Sequence, residues 1–234
     1  MFNRSHFKEE APVSSKPCYA LWDLPVRLFH WLLLAAILTA VVSVNLNAMT
    51  LHVWAGQTVF GLVLFRLLWG FLGTRTARFS SFVRSPVVAL AYLRNLREQV
   101  RVLHLGHNPM GAYSVLGLLA LTLIQAGTGL FADDDVLTQG PLAHLLSSDG
   151  REFMTAWHKL NINLLFAMIA LHILAIFMYW KLGKQNLVRP MVIGKACVTE
   201  DRPVEGTDNT ATPWMRFALS VGMAVGMVWG VNLF

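Results

Sequence analysis

The sequence contains few charged residues for its length. Only 14% of its 234 residues are Asp, Glu, Lys or Arg, whereas 55% are hydrophobic, and the mean hydropathy is +0.51. A water-soluble domain carries about 25% charged residues. The composition therefore excludes an ordinary soluble domain and indicates an integral membrane protein. Because open sheet edges would leave backbone groups unsatisfied in lipid, the spanning elements are expected to be helices.

Cysteine is also scarce. The sequence has two, Cys18 and Cys197, and it lacks the CxxCH motif by which a haem is attached covalently. Two cysteines so far apart are expected to be free thiols, with a disulfide as the less favoured alternative. The N-terminal segment 1–20 lacks the apolar stretch of a cleaved signal peptide, so the first hydrophobic run is expected to remain as a membrane helix.

Long hydrophobic runs are the main feature that is present. Five of them can each cross a bilayer core of about 30 Å. They occupy residues 24–46, 51–73, 112–131, 153–181 and 214–234. The sequence thus predicts an all-α fold, an integral membrane four-helix bundle with an additional C-terminal transmembrane helix. The predicted organisation is an N-terminal tail at 1–20, the bundle domain at 21–194, a linker at 195–213 and the fifth helix at 214–234.

Basic residues are unevenly distributed among the connections. Most Lys and Arg lie in the tail and in the second and fourth connections, while the other side has only Arg151 and Lys159, near the acidic Asp133–Asp135. By the positive-inside rule, the N-terminus is expected in the cytoplasm and the C-terminus, after an odd number of spans, on the other side of the membrane. The net charge of +6 is then a topology signal that contacts anionic lipid, and no nucleic-acid partner is expected.

The second connection contains an apolar segment with interspersed arginines at 85–103. This pattern favours an interfacial helix on the cytoplasmic face. A solvated helical loop is the alternative.

Four histidines lie within the spans or at their ends, namely His30, His52, His158 and His172. Ionisable residues inside a membrane are costly and usually functional. His158 and His172 are separated by about 21 Å along one helix and lie within about 40° of the same face. Because successive spans run in opposite directions, His30 should share the cytoplasmic level with His172, and His52 the periplasmic level with His158.

Two stacked pairs of imidazoles in a four-helix bundle suit two b-type haems, each with a histidine on both faces of its iron. Zinc or copper would require more ligands around one point. Structural histidines are one alternative. A proton or metal transporter is another, but the spans contain no Asp or Glu for a relay. Iron with two imidazoles has no open position, which favours electron transfer over oxygen binding.

Three cations are candidates for binding the haem propionates. Arg27 lies one turn before His30, Arg66 lies at the cytoplasmic level of the second span, and Lys159 lies at the periplasmic level. Arg27 could equally anchor its helix at the interface, and Lys159 could snorkel.

Other polar residues receive weaker assignments. The remaining histidines are expected to be surface or turn residues: His6, His104, His107 and His144. A quinone pocket lined by His107 is a less favoured alternative. Asn161 and Asn163, between the two histidines of the fourth span, have no assigned role.

Several stretches carry a family resemblance. They are "WDLPVRLFHW" at 22–31, "GLVLFRLLWGFLG" at 61–73, "ARFSSFV" at 77–83, "GHNPMGA" at 106–112, "QAGTGLF" at 125–131 and the histidine-bearing fourth span. Together they resemble the bacterial cytochrome b561 family, which includes the b-type cytochrome subunits of membrane-bound nickel–iron hydrogenases. The resemblance covers about residues 20–194.

The resemblance implies a four-helix core that holds two haems b and exchanges electrons with the quinone pool of a respiratory chain. The ligand pattern of the family falls on His30, His52, His158 and His172. A periplasmic c-type cytochrome or redox enzyme is implied as partner. Some relatives act on superoxide, so a superoxide:quinone oxidoreductase is the alternative function.

The fifth helix lies outside the stretches that carry the resemblance. Gly222, Gly226 and Gly230 form a stripe of small residues there, which permits close helix contact. The stripe could pack within the subunit, or it could dock a second copy or another protein.

Overall fold

A computed structural model of the protein describes residues 17–134, 138–197, 203–206, 209 and 211–233. The predicted tail before residue 17, His6, Asp135 and part of the predicted linker lie outside the described residues. Within the described residues, five helices are long and apolar enough to cross a membrane. They are α1 (Leu24–Asn45), α2 (Met49–Leu72), α6 (Pro109–Gly129), α7 (Ser148–Leu182) and α9 (Trp214–Val231). The predicted all-α membrane fold is confirmed.

The long helices pack around α2. Helices α1, α6 and α9 all contact α2, and α6 also packs along α7. Val63 and Trp69 of α2 are fully buried, and Phe65 joins them in the same apolar cluster. The outward faces are apolar as well, as at Leu171 and Trp180, which are more than half exposed in the isolated chain. A bundle that is apolar inside and outside is what a lipid environment requires.

The two ends of the bundle differ in charge and in structure. The end of the bundle where α1, α6 and α9 begin is called the basic end. The opposite end, which holds the α1–α2 and α6–α7 connections, is called the acidic end. The acidic end includes Asp133, Asp134 and a short 3₁₀ turn at Ala143–Leu145. The basic end holds the short helices α3 (Phe79–Phe82), α4 (Pro86–Arg94), α5 (Leu96–Gln99) and α8 (Val188–Ile193).

The predicted interfacial helix is present but shorter than its sequence pattern. It is divided at Asn95 into α4 and α5. Tyr92 and Ala89 are buried on the side of α4 that packs on α6, while Val87 and Leu90 are exposed. This amphipathic arrangement suits a helix that lies along a membrane surface.

Side chains at the basic end cap two of the spans. Asp23 accepts a hydrogen bond from the backbone N–H of Val26 at 2.7 Å and begins α1. Asn108 accepts one from Gly111 at 2.7 Å and begins α6, with Pro109 as its first residue. An oxygen at the N-cap satisfies one of the backbone donors that a helix start leaves free.

Short strands attach the predicted linker to the core, and their partners lie far away in sequence. β1 (Cys18–Ala20) pairs antiparallel with β3 (Lys195–Cys197), and β2 (Leu103–His104) pairs parallel with β4 (Val204–Glu205). The linker was expected to separate the fifth helix from the rest. Its described parts are instead held against the bundle by backbone pairing, and α9 packs directly on α2.

The expectation of two free thiols is wrong. The sulfurs of Cys18 and Cys197 are bonded to each other. The antiparallel register places these two residues directly opposite, with their Cα atoms 4.0 Å apart. A separation of 179 residues hid this proximity, since only the strand pairing brings the two positions together.

Candidate functional site

His52 and His158 face each other near the acidic end. Their ring centroids are 6.1 Å apart and their planes are nearly perpendicular, at 89°. Metal–imidazole bonds of about 2.0–2.1 Å leave room for one metal ion between two rings at this spacing. His52 Nδ1 lies 2.9 Å from the carbonyl oxygen of Ala40. Because a carbonyl only accepts, Nδ1 carries the proton and Nε2 keeps the lone pair that a metal requires.

The stretch Gln125–Gly129 of α6 holds His158 from the other side. His158 Nδ1 donates to the carbonyl oxygen of Gln125 at 2.9 Å, with the hydroxyl of Thr128 at 3.3 Å. A Cβ on Gly129 would lie 2.9 Å from His158 Cε1, so a larger residue would displace the ring. The Gln125 amide nitrogen also lies 3.1 Å from His158 Nε2, and it would have to rotate for a metal to bind there.

Asn161 has a structural role that the sequence did not suggest. Its side chain is 1% exposed and donates to the Gln125 side-chain oxygen at 2.8 Å and to the Leu121 carbonyl at 2.9 Å. Asn161 therefore fixes α7 to the segment of α6 that contacts His158. Asn163 points away and donates to the Lys159 carbonyl at 3.1 Å.

A cavity of about 440 Å³ opens between these histidines. Its volume lies within the range of about 300–1,000 Å³ that cofactor sites occupy. The lining is mostly apolar and includes His52, His158, Lys159 and Gly56. A Cβ on Gly56 would meet nothing within 4 Å, so this glycine leaves space that a flat group can fill. The residues therefore fit an apolar planar cofactor with two axial imidazoles.

A second cluster lies toward the basic end. His30 and His172 are close enough to interact electrostatically. His30 Nδ1 is buried and has no hydrogen-bond partner among the described residues. Arg66 is 2% exposed, and its Nη1 is likewise buried without a partner in the described part of the chain. Buried unpaired donors are rare in folded proteins, and an anionic group would satisfy this guanidinium.

Arg66 is placed by its neighbours. Its guanidinium carbon lies 5.2 Å from the centre of the Phe79 ring. The charge of Asp23 acts on it favourably. Sequence reasoning missed Asp23, which also accepts hydrogen bonds from Trp69 Nε1 at 3.0 Å and Thr74 Oγ1 at 2.5 Å. Its position one residue before the proline-bearing start of α1 was the signal, since Asp favours N-caps.

His107 is not the surface residue that was expected. Its ring packs between Trp22 and Phe82, with centroids at 4.6 and 4.5 Å, and its Nδ1 is inaccessible and unpartnered among the described residues. Burial, followed by the charges of Arg66 and His172, lowers the pKa of His107 to about 3. The imidazole is therefore neutral at pH 7, beside the basic-end cluster. The "GHNPMGA" stretch itself gave no signal of this burial.

Three other predicted residues are placed as follows. His104 is mostly buried, with Nδ1 3.1 Å from the Glu205 carboxylate, and burial lowers its pKa more than Glu205 raises it. Arg27 donates from Nη1 to the Val192 carbonyl at 2.5 Å, at the end of α8. His144 is exposed in the 3₁₀ turn.

The histidines are grouped in pairs. Among the described residues, no three His, Cys, Asp or Glu side chains come together as a metal site. The family model of prokaryotic cytochrome b561 matches residues 21–194, which contain all four histidines. The chain belongs to the prokaryotic cytochrome b561 family. No curated protein and no solved structure matches it.

Membership of the cytochrome b561 family confirms the predicted resemblance. The protein is a multi-pass membrane cytochrome that binds b-type haem and transfers electrons. In this cytochrome b561, the two pairs of histidines lie toward opposite ends of the bundle. The acidic-end pair borders the cavity, and the basic-end pair borders Arg66 and His107.

Proposed function

We propose that the protein holds two haems b and passes electrons between membrane quinone and a redox partner at the acidic end. One haem would bind between His52 and His158, and the other between His30 and His172. The observation that carries this proposal is the facing His52 and His158 pair over an apolar cavity. The family supports haem binding and electron transfer in general.

The residues divide the work of holding and tuning the cofactors. Bound haem supplies a one-electron iron couple, and two imidazoles leave no open coordination position. Ala40 and Gln125 fix the tautomer of the acidic-end ligands through their carbonyl oxygens. Arg66 is the strongest propionate ligand, because its guanidinium is buried with an unpaired nitrogen. Lys159 lines the acidic-end cavity, and Arg27 lies one turn from His30.

The basic end is assigned to the cytoplasm of a bacterial inner membrane, with the C-terminus in the periplasm. Arginines cluster in the connection from α2 to α6, which favours this orientation. Quinone is assigned to the basic end near His107, whose neutral, buried ring can accept or donate a hydrogen bond. The partner, a c-type cytochrome or a hydrogenase-like enzyme, would then approach from the periplasm.

The fifth helix supplies a surface for assembly. Ser220 and Ala224 are the buried residues of α9, which packs on α2. A Cβ on Gly222, Gly226 or Gly230 would meet nothing within 4 Å, so the glycine stripe does not form that contact. We therefore assign the stripe to a second copy or to the redox partner, since small residues let helices approach closely.

Haem stoichiometry tests the proposal. Purified protein should contain two haems b per chain by pyridine haemochrome assay. His158→Ala should leave about one, because the acidic-end site loses an axial ligand. His144→Ala, which changes an exposed histidine, should leave two. Protein without haem b, or a His158→Ala variant with an unchanged haem count, would contradict the proposal.

Superoxide oxidation remains the second candidate because Lys159 lines the acidic-end cavity. A cation there would attract an anionic substrate. Asp133 and Asp134 line the same cavity and oppose it. Stopped-flow mixing with superoxide distinguishes the functions: haem reduction no faster than background rejects the oxidase.

A further inference from the structure

Two segments that are distant in sequence are joined at the basic end of the bundle. Residues 18–31 lie against residues 188–197, which include α8 and β3. The pairing of β1 with β3 is continued by the backbone N–H groups of Leu21 and Trp22. Both donate to the carbonyl oxygen of Gly194, at 2.8 and 3.2 Å. We call these two joined segments the clasp.

Side chains extend the clasp along the first turns of α1. Arg27 donates from Nη1 to the Val192 carbonyl oxygen at 2.5 Å, and Trp31 donates from Nε1 to the Met191 carbonyl oxygen at 3.1 Å. The centroid of the Trp31 ring also lies 5.1 Å from that of His30. The clasp therefore sets where the first turns of α1 lie relative to α8.

The inner side of the clasp is buried toward the basic-end cluster. Leu21 and Ala196 are 3% and 7% exposed and belong to one apolar cluster. The Leu21 carbonyl oxygen also accepts a hydrogen bond from Thr76 Oγ1 at 2.8 Å. The ring of Trp22 packs on His107, with 4.6 Å between centroids. A change in the clasp therefore reaches the side chains around the basic-end cluster.

The outer edge of the clasp carries the bond between Cys18 and Cys197, and both residues are exposed. Exposed disulfides are the ones that thiols in solution attack and reopen most readily. Lys195 lies on the same exposed face of β3 as Cys197, because side chains alternate along a strand, and a neighbouring cation favours the reactive thiolate. The sequence has no third cysteine, so the attacking thiol has to come from another molecule.

From this arrangement we propose that Cys18 and Cys197 form an exchange site for a small thiol of the glutathione type, and that the bond sets how firmly the clasp holds the start of α1. In opening, a glutathione thiolate attacks one sulfur, forms a mixed disulfide and releases the other sulfur as a thiolate, which takes up a proton. A second glutathione thiolate then frees the first cysteine, which is protonated in turn. The protein gains two electrons and two protons, and the glutathiones leave as one disulfide. Closing reverses each step.

This exchange goes beyond electron transfer and does not depend on the number of haems. With the basic end in the cytoplasm, a reduced thiol pool keeps the bond open, and oxidation of that pool closes it. The open clasp retains a pairing of three residues and a few hydrogen bonds, and two paired strands are marginally stable alone. Opening should therefore speed hydrogen exchange at the Leu21 and Trp22 amides by about tenfold or more.

Hydrogen-exchange mass spectrometry of the full chain in lipid nanodiscs tests the proposal, after equilibration at stepwise ratios of reduced to oxidised glutathione. Free thiols are counted in parallel from the mass that a maleimide adds after acid quenching. We expect both thiols to appear together in the folded protein, and exchange in residues 18–23 to rise in step with them. Residues 138–147 at the acidic end should exchange at one rate throughout.

Two variants separate the bond from the strand that carries it. The double variant Cys18→Ser, Cys197→Ser should exchange in residues 18–23 as fast as reduced wild type at every glutathione ratio. Ala20→Ser also places a serine on β1 but keeps both cysteines, so it should follow wild type.

Either of two results overturns the proposal: a bond that glutathione opens only in denaturant, or equal exchange in residues 18–23 with the bond open and closed. Haem content enters neither measurement. A chain without two haems would therefore refute the function proposed above and leave these outcomes unchanged.

Discussion

Replacing Asp23 with alanine should be among the most destabilising single changes at the basic end. The carboxylate accepts three hydrogen bonds: from the Val26 backbone, from Trp69 Nε1 and from Thr74 Oγ1. Trp69 and Thr74 are 0% and 1% exposed, so water cannot replace the lost acceptor. A lost N-cap costs about 1 kcal/mol and each orphaned buried donor about 1–3 kcal/mol, which together give about 3–7 kcal/mol.

Equilibrium unfolding in mixed micelles, followed by tryptophan fluorescence, measures this loss. Asp149→Ala provides the control, because Asp149 lies near the start of a span as Asp23 does, but it is exposed and Ser147 caps that helix. The control should change the free energy of unfolding by less than about 0.5 kcal/mol. If Asp23→Ala falls within about 1 kcal/mol of wild type, the buried carboxylate does not join α1 to α2 as described.

Gly56→Leu should fill the acidic-end cavity and reduce the haem content from two per chain to one. Gly222→Leu, on the outward face of α9, should keep two haems. Equal haem counts in the two variants would contradict the assignment of the cavity. Arg66→Ala should lose the basic-end haem. Arg27→Ala should keep it, because the Arg27 side chain is hydrogen-bonded to the end of α8. The reverse result in the haemochrome assay would make Arg27 the propionate ligand. In intact cells, labelling with a membrane-permeant maleimide tests the proposed orientation. The cytoplasm keeps thiols reduced, so a basic end in the cytoplasm would leave the Cys18–Cys197 bond open and both thiols blocked by the reagent. Finding the bond intact after acid trapping would place the basic end in the periplasm.

Helical periodicity made the histidine pairs predictable. A run of apolar residues defines a span, and residue number along it defines depth. Depth alone matched His52 with His158, which the structure places 6.1 Å apart between ring centroids. The start of α1 also depends only on neighbouring residues, since an acidic residue before a proline-bearing turn suits a helix N-terminus.

The supporting contacts were not predictable, because they join distant segments. His107 depends on rings from positions 22 and 82, and nothing in its own stretch indicates burial between them. Asn161 has polar partners one helix away, on a face that periodicity alone does not assign. Cys18 and Cys197 lie opposite each other because β1 and β3 pair over three residues in that register. Such contacts follow from tertiary packing, which a single sequence does not encode as a visible pattern.

The bond between Cys18 and Cys197 also changes the connectivity of the molecule. It joins two points that flank the family core at 21–194, so the four spans with the histidines form a covalently closed ring when the bond is present. A single cut in the connection between α6 and α7 would then leave both halves linked, each carrying two of the four histidines. The fifth helix stays outside the ring, attached through residues 198–213 alone. Proteolysis there would cut this covalent link and leave the haem-binding ring closed, with α9 held by its packing on α2.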